Sequence, residues 1–209
     1  MTGVILALLL GLWAMPPVRA AVRDFWQIGA VRIWLVEPTP APTSEPPVST
    51  PDAAMPHRLN LAGVTTLQDA AAQVDFALSL PTYPEGVGLP DAVFMQEFGA
   101  PLVVMVWMSH EEPGKALYSL QTLGSDAIVT KVDPPVVQTT TVNGREAAWT
   151  EGPYMLSYGA EGTAEWRMDY LVSGRVLIWE AEGLTYRLES NLSMDEAVRM
   201  AESLEPWRE

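Results

Sequence analysis

The sequence predicts an α+β domain built on a twisted antiparallel sheet of about six to eight strands. A short helix is expected near the start of the domain and a closing helix at its C-terminal end. Two observations predict this class. Runs with strand-like composition recur between residues 92 and 189, with turn residues between them. A capping signal precedes a helical apolar pattern on either side of that region.

The strand pattern is the stronger of the two signals. Asn143-Gly144 between two alternating runs is the clearest hairpin signal in the chain, because both residues accept the positive φ angles of a tight turn. Ser173-Gly174 and Gly183 mark two further turns. The predicted strands are residues 92–98, 102–109, 116–123, 136–142, 146–150, 154–158, 166–172, 176–182 and 185–189. We expect six to eight of these nine stretches to pair as a meander in one sheet.

Each predicted helix has its own start signal. Thr65 with Gln68 fits a capping box, so residues 66–74 are expected to form the first helix. Ser193 with Glu196 fits a second capping box ahead of the closing helix. The residues expected to form its buried stripe are Ala197, Met200, Ala201 and Leu204.

Residues 1–15 are assigned to a hydrophobic membrane or signal segment. The uncharged run from Val4 to Met15 would make roughly 18 Å of helix, shorter than a hydrocarbon core of about 30 Å. That length suits the apolar part of a signal peptide, and Val18-Arg19-Ala20 followed by Ala21 resembles a cleavage site. Three alternatives stay open: a cleaved signal, an uncleaved anchor, or a truncated start whose upstream residues complete a span.

Residues 16–36 are assigned to a juxtamembrane amphipathic helix, running from Pro16 to Ile28, and a short strand over 31–36. That helix would contact either the membrane surface or its own domain. Residues 37–55 are assigned to a linker, because six prolines occur between Glu37 and Pro51. The 15 residues from Glu37 to Pro51 are expected to extend about 45 Å in a polyproline II conformation. The folded domain is then expected over residues 56–209.

Four stretches resemble a known family. They are a proline-glycine turn at Leu80–Val87, a hairpin at Val142–Ala147, a strand pair at Leu177–Tyr186 and a closing helix at Leu192–Leu204. Together they resemble a bacterial domain-of-unknown-function family found as the extracytoplasmic C-terminal part of anti-sigma-factor-like membrane proteins. The resemblance implies a location outside the membrane and a sensing role, and it supplies no catalytic residues.

This chain departs from that family in one respect. Such proteins usually carry a cytoplasmic zinc-binding domain with His and Cys ligands ahead of the membrane helix. Here there is no cysteine and no such domain in the sequence. The resemblance therefore carries over a location and a sensing role, rather than the binding of a sigma factor.

Charge and composition exclude several function classes. With 12 basic against 26 acidic residues, the net charge of −14 would repel nucleic acid rather than displace its counterions. Zero cysteines exclude disulfides, thiolate metal sites and cysteine nucleophiles. His57 and His110 lack ligand spacing, and neither a serine-hydrolase elbow nor a glycine-rich phosphate loop occurs. We therefore predict no catalytic, metal or cofactor-binding residues.

Aromatic and acidic residues on the predicted strands give the remaining candidates. Trp107, Trp149, Trp166 and Trp179 lie among apolar alternate neighbours, which favours the core. If they share an exposed face, they would form a platform for sugar or peptide, or a concavity for acyl chains as in lipoprotein carriers. Glu180 and Glu182 are placed on one strand face, where a solvated surface is favoured over a glycosidase pair.

The sequence thus predicts a non-catalytic, membrane-tethered extracytoplasmic interaction or sensory domain. Its expected partners are the membrane, through the N-terminal segment, and an unknown protein, peptide or envelope ligand, without nucleic acid or cofactor. The expected location is the cell membrane, single-pass or signal-anchored, with the C-terminal domain outside. The alternative is an exported lipid- or glycan-binding carrier or a secreted hydrolase.

Overall fold

A computed structural model describes residues 25–34, 63–97, 100–124, 127–132, 136–160, 166–172 and 174–208. The first eight strands are β1 (Phe25–Ile28), β2 (Val31–Trp34), β3 (Val64–Thr65), β4 (Ser79–Pro81), β5 (Ala92–Glu97), β6 (Pro101–Met108), β7 (Ala116–Leu123) and β8 (Ala127–Val132). The others are β9 (Val136–Val142), β10 (Arg145–Glu151), β11 (Tyr154–Ala160), β12 (Trp166–Val172), β13 (Arg175–Ala181), β14 (Leu184–Ser190) and β15 (Leu204–Pro206). The helices are α1 (Leu67–Gln73) and α2 (Met194–Glu202).

The described strands form three sheets. The main sheet has eight strands in the order β3-β5-β6-β7-β14-β13-β10-β9, and its pairs are antiparallel. A second sheet has the order β1-β2-β8-β11-β12, with a parallel pair between β2 and β8. The third contains only β15 and β4. The predicted antiparallel sheet with two helices is therefore confirmed in outline, but the expected single meander is two larger sheets.

The main sheet is apolar on both faces. Because side chains alternate along a strand, Val103, Met105 and Trp107 of β6 face one side, while Leu102, Val104 and Val106 face the other. All six are buried. The first set belongs to a core that includes residues of α1 and α2, and the second set belongs to a core that includes residues of the N-terminal strands. The helices and the second sheet therefore cover opposite faces of the main sheet.

The N-terminal strands differ most from the sequence prediction. The amphipathic helix was expected to continue to Ile28, whereas Phe25–Ile28 forms β1 and pairs with β2 across Gly29-Ala30. Aromatic and β-branched residues flank that tight turn, and these residue types are common in hairpin strands. Ile28, Val31 and Ile33 are buried against the main sheet.

The folded part of the chain therefore begins upstream of the predicted linker. Residues 35–62, which include the predicted linker at 37–55, connect β2 of the second sheet with β3 of the main sheet. Those residues and residues 1–24, with the apolar run and the cleavage-like site, lie outside the described part of the structure. In the described ranges, neither helix is long and apolar enough to cross a bilayer.

One contact fixes the N-terminal hairpin on the main sheet. The backbone N–H of Ala30 donates a hydrogen bond of 2.7 Å to Oγ1 of Thr185, and this bond is buried. Gly29 has a φ of +53°, and a Cβ atom at this position would overlap Thr185 Oγ1. Glycine is therefore required for the turn and for its close approach to β14.

The helix caps follow the predicted chemistry with one shift. The N-cap of α1 is Thr66, whose side chain accepts from the Asp69 N–H, so the predicted cap at Thr65 is displaced by one residue. The capping box of α2 is confirmed: Ser193 Oγ accepts from the Glu196 N–H, and Glu196 Oε2 accepts from the Ser193 N–H at 2.9 Å. Leu204, expected on the helix, lies in β15 instead.

We expect Gly29→Ala to be more destabilising than Gly183→Ala. Both glycines have positive φ angles, which are strained for alanine, but only Gly29 lacks space for a side chain. Chemical denaturation should show a loss of about 2–4 kcal/mol for Gly29→Ala, from strain plus the displaced Thr185 bond, and about 1 kcal/mol for Gly183→Ala. Equal losses would contradict the docking of the hairpin on β14.

We expect Ser193→Ala to weaken folding in a pH-dependent way. Hydrogen bonds from the Ser193 hydroxyl and then its N–H hold the pKa of Glu196 below its ordinary value. A carboxyl group with a lowered pKa stabilises the fold fully when the pH is above its ordinary pKa. This contribution is lost as the pH falls through the lowered pKa. Removing the serine N-cap should itself cost about 1 kcal/mol at neutral pH.

Urea unfolding over a pH series measures this effect. The stability difference between the wild type and Ser193→Ala should shrink as the solution becomes acidic enough to protonate Glu196. Ser193→Thr keeps a capping hydroxyl and serves as the control. A difference that stays constant across the series would show that Glu196 does not act through Ser193.

Candidate functional site

The tryptophans singled out from the sequence lie mainly in the core. Trp107, Trp149 and Trp179 are 3%, 2% and 2% exposed and share the core between the main sheet and the helices. Trp166 begins β12, and its side chain lies outside the described part of the structure. The structure thus brings three of the four together, on the face that the helices cover.

Specific contacts fix these three side chains. The indole N–H of Trp107 donates to the Gly88 carbonyl at 3.1 Å, and that of Trp149 donates to Glu151 Oε1 at 3.1 Å. Trp179 stacks on Tyr186 with ring centroids 5.3 Å apart and planes at 10°. An aromatic pair in this offset geometry adds to the stability of a core. These tryptophans therefore support the sheet rather than offer an open platform.

Packing under the closing helix is tight. The described residues Leu120, Trp179, Leu188, Met200 and Leu204 meet there without room for a water molecule between them. Burial raises the pKa of the Tyr186 hydroxyl, which Ser79 partly offsets by a hydrogen bond. At this point of the described structure, the apolar layer between the sheet and α2 is filled by the protein's own side chains.

The predicted acidic pair is not held together. Glu180 is an exposed residue of β13, whereas Glu182 lies in the turn after that strand with a φ of +55°. His110 is exposed in the turn between β6 and β7, and His57 lies outside the described residues. Within the described ranges, no three His, Asp or Glu side chains are grouped so that they would hold a metal ion.

The motifs that carry the family resemblance meet at α2. The N–H groups of Thr82 and Tyr83 donate to Ser203 Oγ at 3.2 and 3.0 Å, which joins the proline-glycine turn to the helix C-terminus. At the same end of α2, Glu202 Oε1 accepts from the N–H of Asn143 in the β9–β10 turn at 3.0 Å. The resemblance therefore marks residues that fix the closing helix to the sheet.

Aromatic and charged side chains lie beside this contact between the proline-glycine turn and α2. The guanidinium carbon of Arg199 lies 4.3 Å from the centroid of the Tyr83 ring, within the range of a cation–π interaction. Burial, followed by the neighbouring Tyr83 and Glu196, raises the pKa of the Tyr118 hydroxyl. These groups are half-buried or exposed, so they offer polar and aromatic contacts to a partner at the surface.

A shallow groove opens beside the same turn. It has a volume of about 350 Å³ and lies between the turn that begins at Thr82 and the C-terminal residues. Its lining residues are Leu80, Pro81, Thr82, Gly86, Val87, Gly88, Glu205, Pro206, Trp207 and Arg208. The backbone of Trp207 is held by an N–H bond to the Leu78 carbonyl at 2.7 Å. The groove therefore combines aromatic and proline surfaces with one acidic residue, Glu205, and one basic residue, Arg208.

The face of the main sheet that the second sheet covers contains a buried polar block, which is a cluster of buried polar and charged side chains. Arg187 is fully buried, and its Nη2 lies 3.0 Å from Glu189 Oε2. Their cross-strand neighbours on β7, Gln121 and Ser119, are also buried. A buried ion pair contributes little net stability because its desolvation offsets its attraction. We therefore expect this pair to contribute little to the net free energy of unfolding.

Sequence reasoning missed the groove and the polar block. Trp207 and Arg208 follow the closing helix, where no periodic pattern drew attention to them. Arg187 lies within a predicted strand, and its position there does not by itself indicate that a charged residue is buried. The continuous apolar run in β6 was the available signal, since a strand that is apolar at successive positions is covered on both sides.

Comparison with known proteins gives one match. Residues 118–204 match the family model described as a domain of unknown function, DUF4367. This region runs from β7 through α2 and includes three of the four stretches that carried the resemblance. Neither the curated proteins nor the solved structures contain a match to this chain. Over those residues, the chain is similar to a domain of unknown function.

Proposed function

We propose that this chain is a non-catalytic, membrane-tethered interaction or sensory domain that lies outside the cytoplasm. It would resemble the outer part of an anti-sigma-factor-like regulator. The observation that carries the proposal is the place of the N-terminal hairpin. The strands that follow the hydrophobic segment are part of the domain's own core. A movement of that segment is therefore transmitted to the core, and a change in the core is transmitted to the segment.

The distance between the apolar run and the fold supports a close attachment. The run ends at Met15 and β1 begins at Phe25, which leaves the nine residues 16–24 between them. A fully extended segment of that length spans at most about 30 Å. A domain anchored through residues 1–15 would therefore stay close to the bilayer surface, instead of standing off on the proline-rich segment.

The acidic character of the chain suits this arrangement. A net charge of −14 keeps a protein soluble and monomeric, and it opposes flat adsorption on an anionic lipid surface. The hydrophobic segment would then provide the attachment, while the domain faces outward. The groove beside Trp207 and the aromatic group around Tyr83 provide surfaces on which a protein or peptide ligand can bind.

A carrier of lipid or glycan is the second candidate from a different class. Its support is the apolar layer under the helices, which is rich in tryptophan and methionine. Methionine adapts to ligands of varied shape. However, that layer is filled in this conformation, so a carrier would have to move α2 away from the sheet. The contacts of Ser203 and Glu202 oppose this movement, and we therefore place the interaction domain first.

We expect the whole chain, fused at its C-terminus to alkaline phosphatase, to show phosphatase activity in cells, because that enzyme is active only outside the cytoplasm. A parallel fusion to green fluorescent protein, which fluoresces in the cytoplasm, serves as the control. Deletion of residues 4–15 should reverse both results. Recovery of the intact chain in the cytosol, with its N-terminal segment present, would end the proposal.

We expect the fragment 56–209 to be much less stable than a fragment that begins at Phe25. It lacks the buried side chains of Ile28, Val31 and Ile33, each worth about 1.5–3 kcal/mol when buried. Denaturation of the two fragments measures the difference. Addition of a synthetic peptide covering 25–34 should recover part of the lost stability. Equal stability would show that the hairpin is not part of the folding unit.

A further inference from the structure

The edge formed by β9 is unusual among the ends of the described sheets. β9 is the last strand of the main sheet and pairs with β10 over seven residues. The other end strand of this sheet, β3, has only two residues. In the second sheet, β1 has four residues, and β12 contains the charged residues Arg167 and Asp169. β9 is therefore both long and uncharged.

Proteins usually protect such an edge. Charged side chains, prolines, bulges or very short strands prevent another chain from pairing with the open backbone groups. The sequence of β9 is Val-Val-Gln-Thr-Thr-Thr-Val, which contains no charge, no proline and no glycine. Valine and threonine also favour extended structure. The composition of β9 is thus that of a strand that accepts a neighbour.

The hairpin geometry determines which backbone groups point outward. Asn143 and Gly144 have φ angles of 48° and 75°, as expected for a two-residue turn between β9 and β10. Val142 and Arg145 flank that turn and form a hydrogen-bonded pair in this geometry. The alternation then directs the N–H and C=O groups of Val137, Thr139 and Thr141 away from β10.

Burial agrees with an open edge at these positions. The side chains of Gln138, Thr139 and Thr141 are exposed in the middle of the strand, whereas Val142 is buried beside the turn. Among the described strands, β10 is the one neighbour of β9. A second chain in extended conformation would find three donors and three acceptors at regular spacing along this edge.

Charge indicates what kind of chain would bind. Glu146 lies opposite Thr141 on the neighbouring strand, Glu151 lies opposite Val136, and Glu202 is bonded to the turn at Asn143. Two basic residues lie nearby: Arg145 is opposite Val142, and Arg175 Nε is 3.9 Å from Glu151 Oε1. The whole chain carries −14, so a second copy would be repelled. A basic partner segment is attracted to both the edge and the protein as a whole.

We propose that β9 accepts an extended, net-basic segment of a partner protein as a ninth strand of the main sheet. This inference deepens the proposed function, on which it rests, by naming the chemistry of the partner. Main-chain hydrogen bonds give such an interaction its affinity, and the charges select the partner. The exposed threonines leave the edge soluble while it is unoccupied.

A synthetic peptide tests the proposal on the whole chain in nanodiscs. The probe alternates threonine and valine between terminal lysines, and a matched probe has glutamates in place of the lysines. Hydrogen exchange resolved to single amides should show Val137, Thr139 and Thr141 unprotected in the free protein. The lysine probe should slow them by about tenfold or more, equivalent to about 1.4 kcal/mol, with a weaker effect of the glutamate probe.

Two variants of Thr139 separate the contribution of its backbone N–H from that of its side chain. Thr139→Pro removes an outward N–H and leaves the pairing with β10, so it should abolish the protection of Val137 and Thr141. Thr139→Ala keeps the N–H and should leave that protection intact. If Thr139→Pro fails to fold, the comparison of the two probes on the wild type still decides the question.

Several results would overturn the proposal. Protection of the three amides in the free protein would show that the edge is already covered. If that protection increased with protein concentration, a second copy of the chain would be the occupant. A lysine probe without effect would exclude strand addition. These outcomes are independent of the phosphatase fusion. If the chain is cytoplasmic but β9 still binds the lysine probe, only the proposed location is refuted. If the chain is exported but β9 does not bind the probe, only the proposed strand addition is refuted.

Discussion

The two apolar faces of the main sheet are the constraint on which the rest of this fold depends. Six successive residues of β6, from Leu102 to Trp107, are buried, and four successive residues of β13, from Val176 to Trp179, are buried as well. Exposure of either face would leave a large apolar surface in water. One layer of helices cannot cover both sides, so the sheet needs a second layer, which includes the N-terminal hairpin.

This constraint explains which parts of the fold could be predicted from the sequence. Alternation and turn residues located the strands from β5 to β14 except β8, and capping chemistry located α2 to its first residue, because these signals are local. The assignment of strands to sheets is a long-range matter. β10 pairs with β13, and the intervening β11 and β12 belong to the second sheet, which no local pattern distinguishes from a meander.

The N-terminal hairpin shows why the rest was missed. Its sequence fits an amphipathic helix and a hairpin almost equally well when taken alone, and the proline-rich stretch after it suggests a boundary between domains. The decision comes from Thr185, which is 155 residues from Ala30 in the chain and accepts its N–H. Tertiary contacts of this kind override local propensity. The candidate site depends on similar contacts, between Ser203 and the turn at Thr82.

The position of the hairpin also shows that the proline-rich segment does not separate the hydrophobic run from the folded domain. A spacer between a membrane and a domain isolates the domain from the anchor, because a long linker transmits little force or orientation. Here the segment follows two strands that are already packed on the sheet, so the connection to the hydrophobic run is the shorter stretch before β1. A ligand that shifts the second sheet against the main sheet would then act on β1 directly.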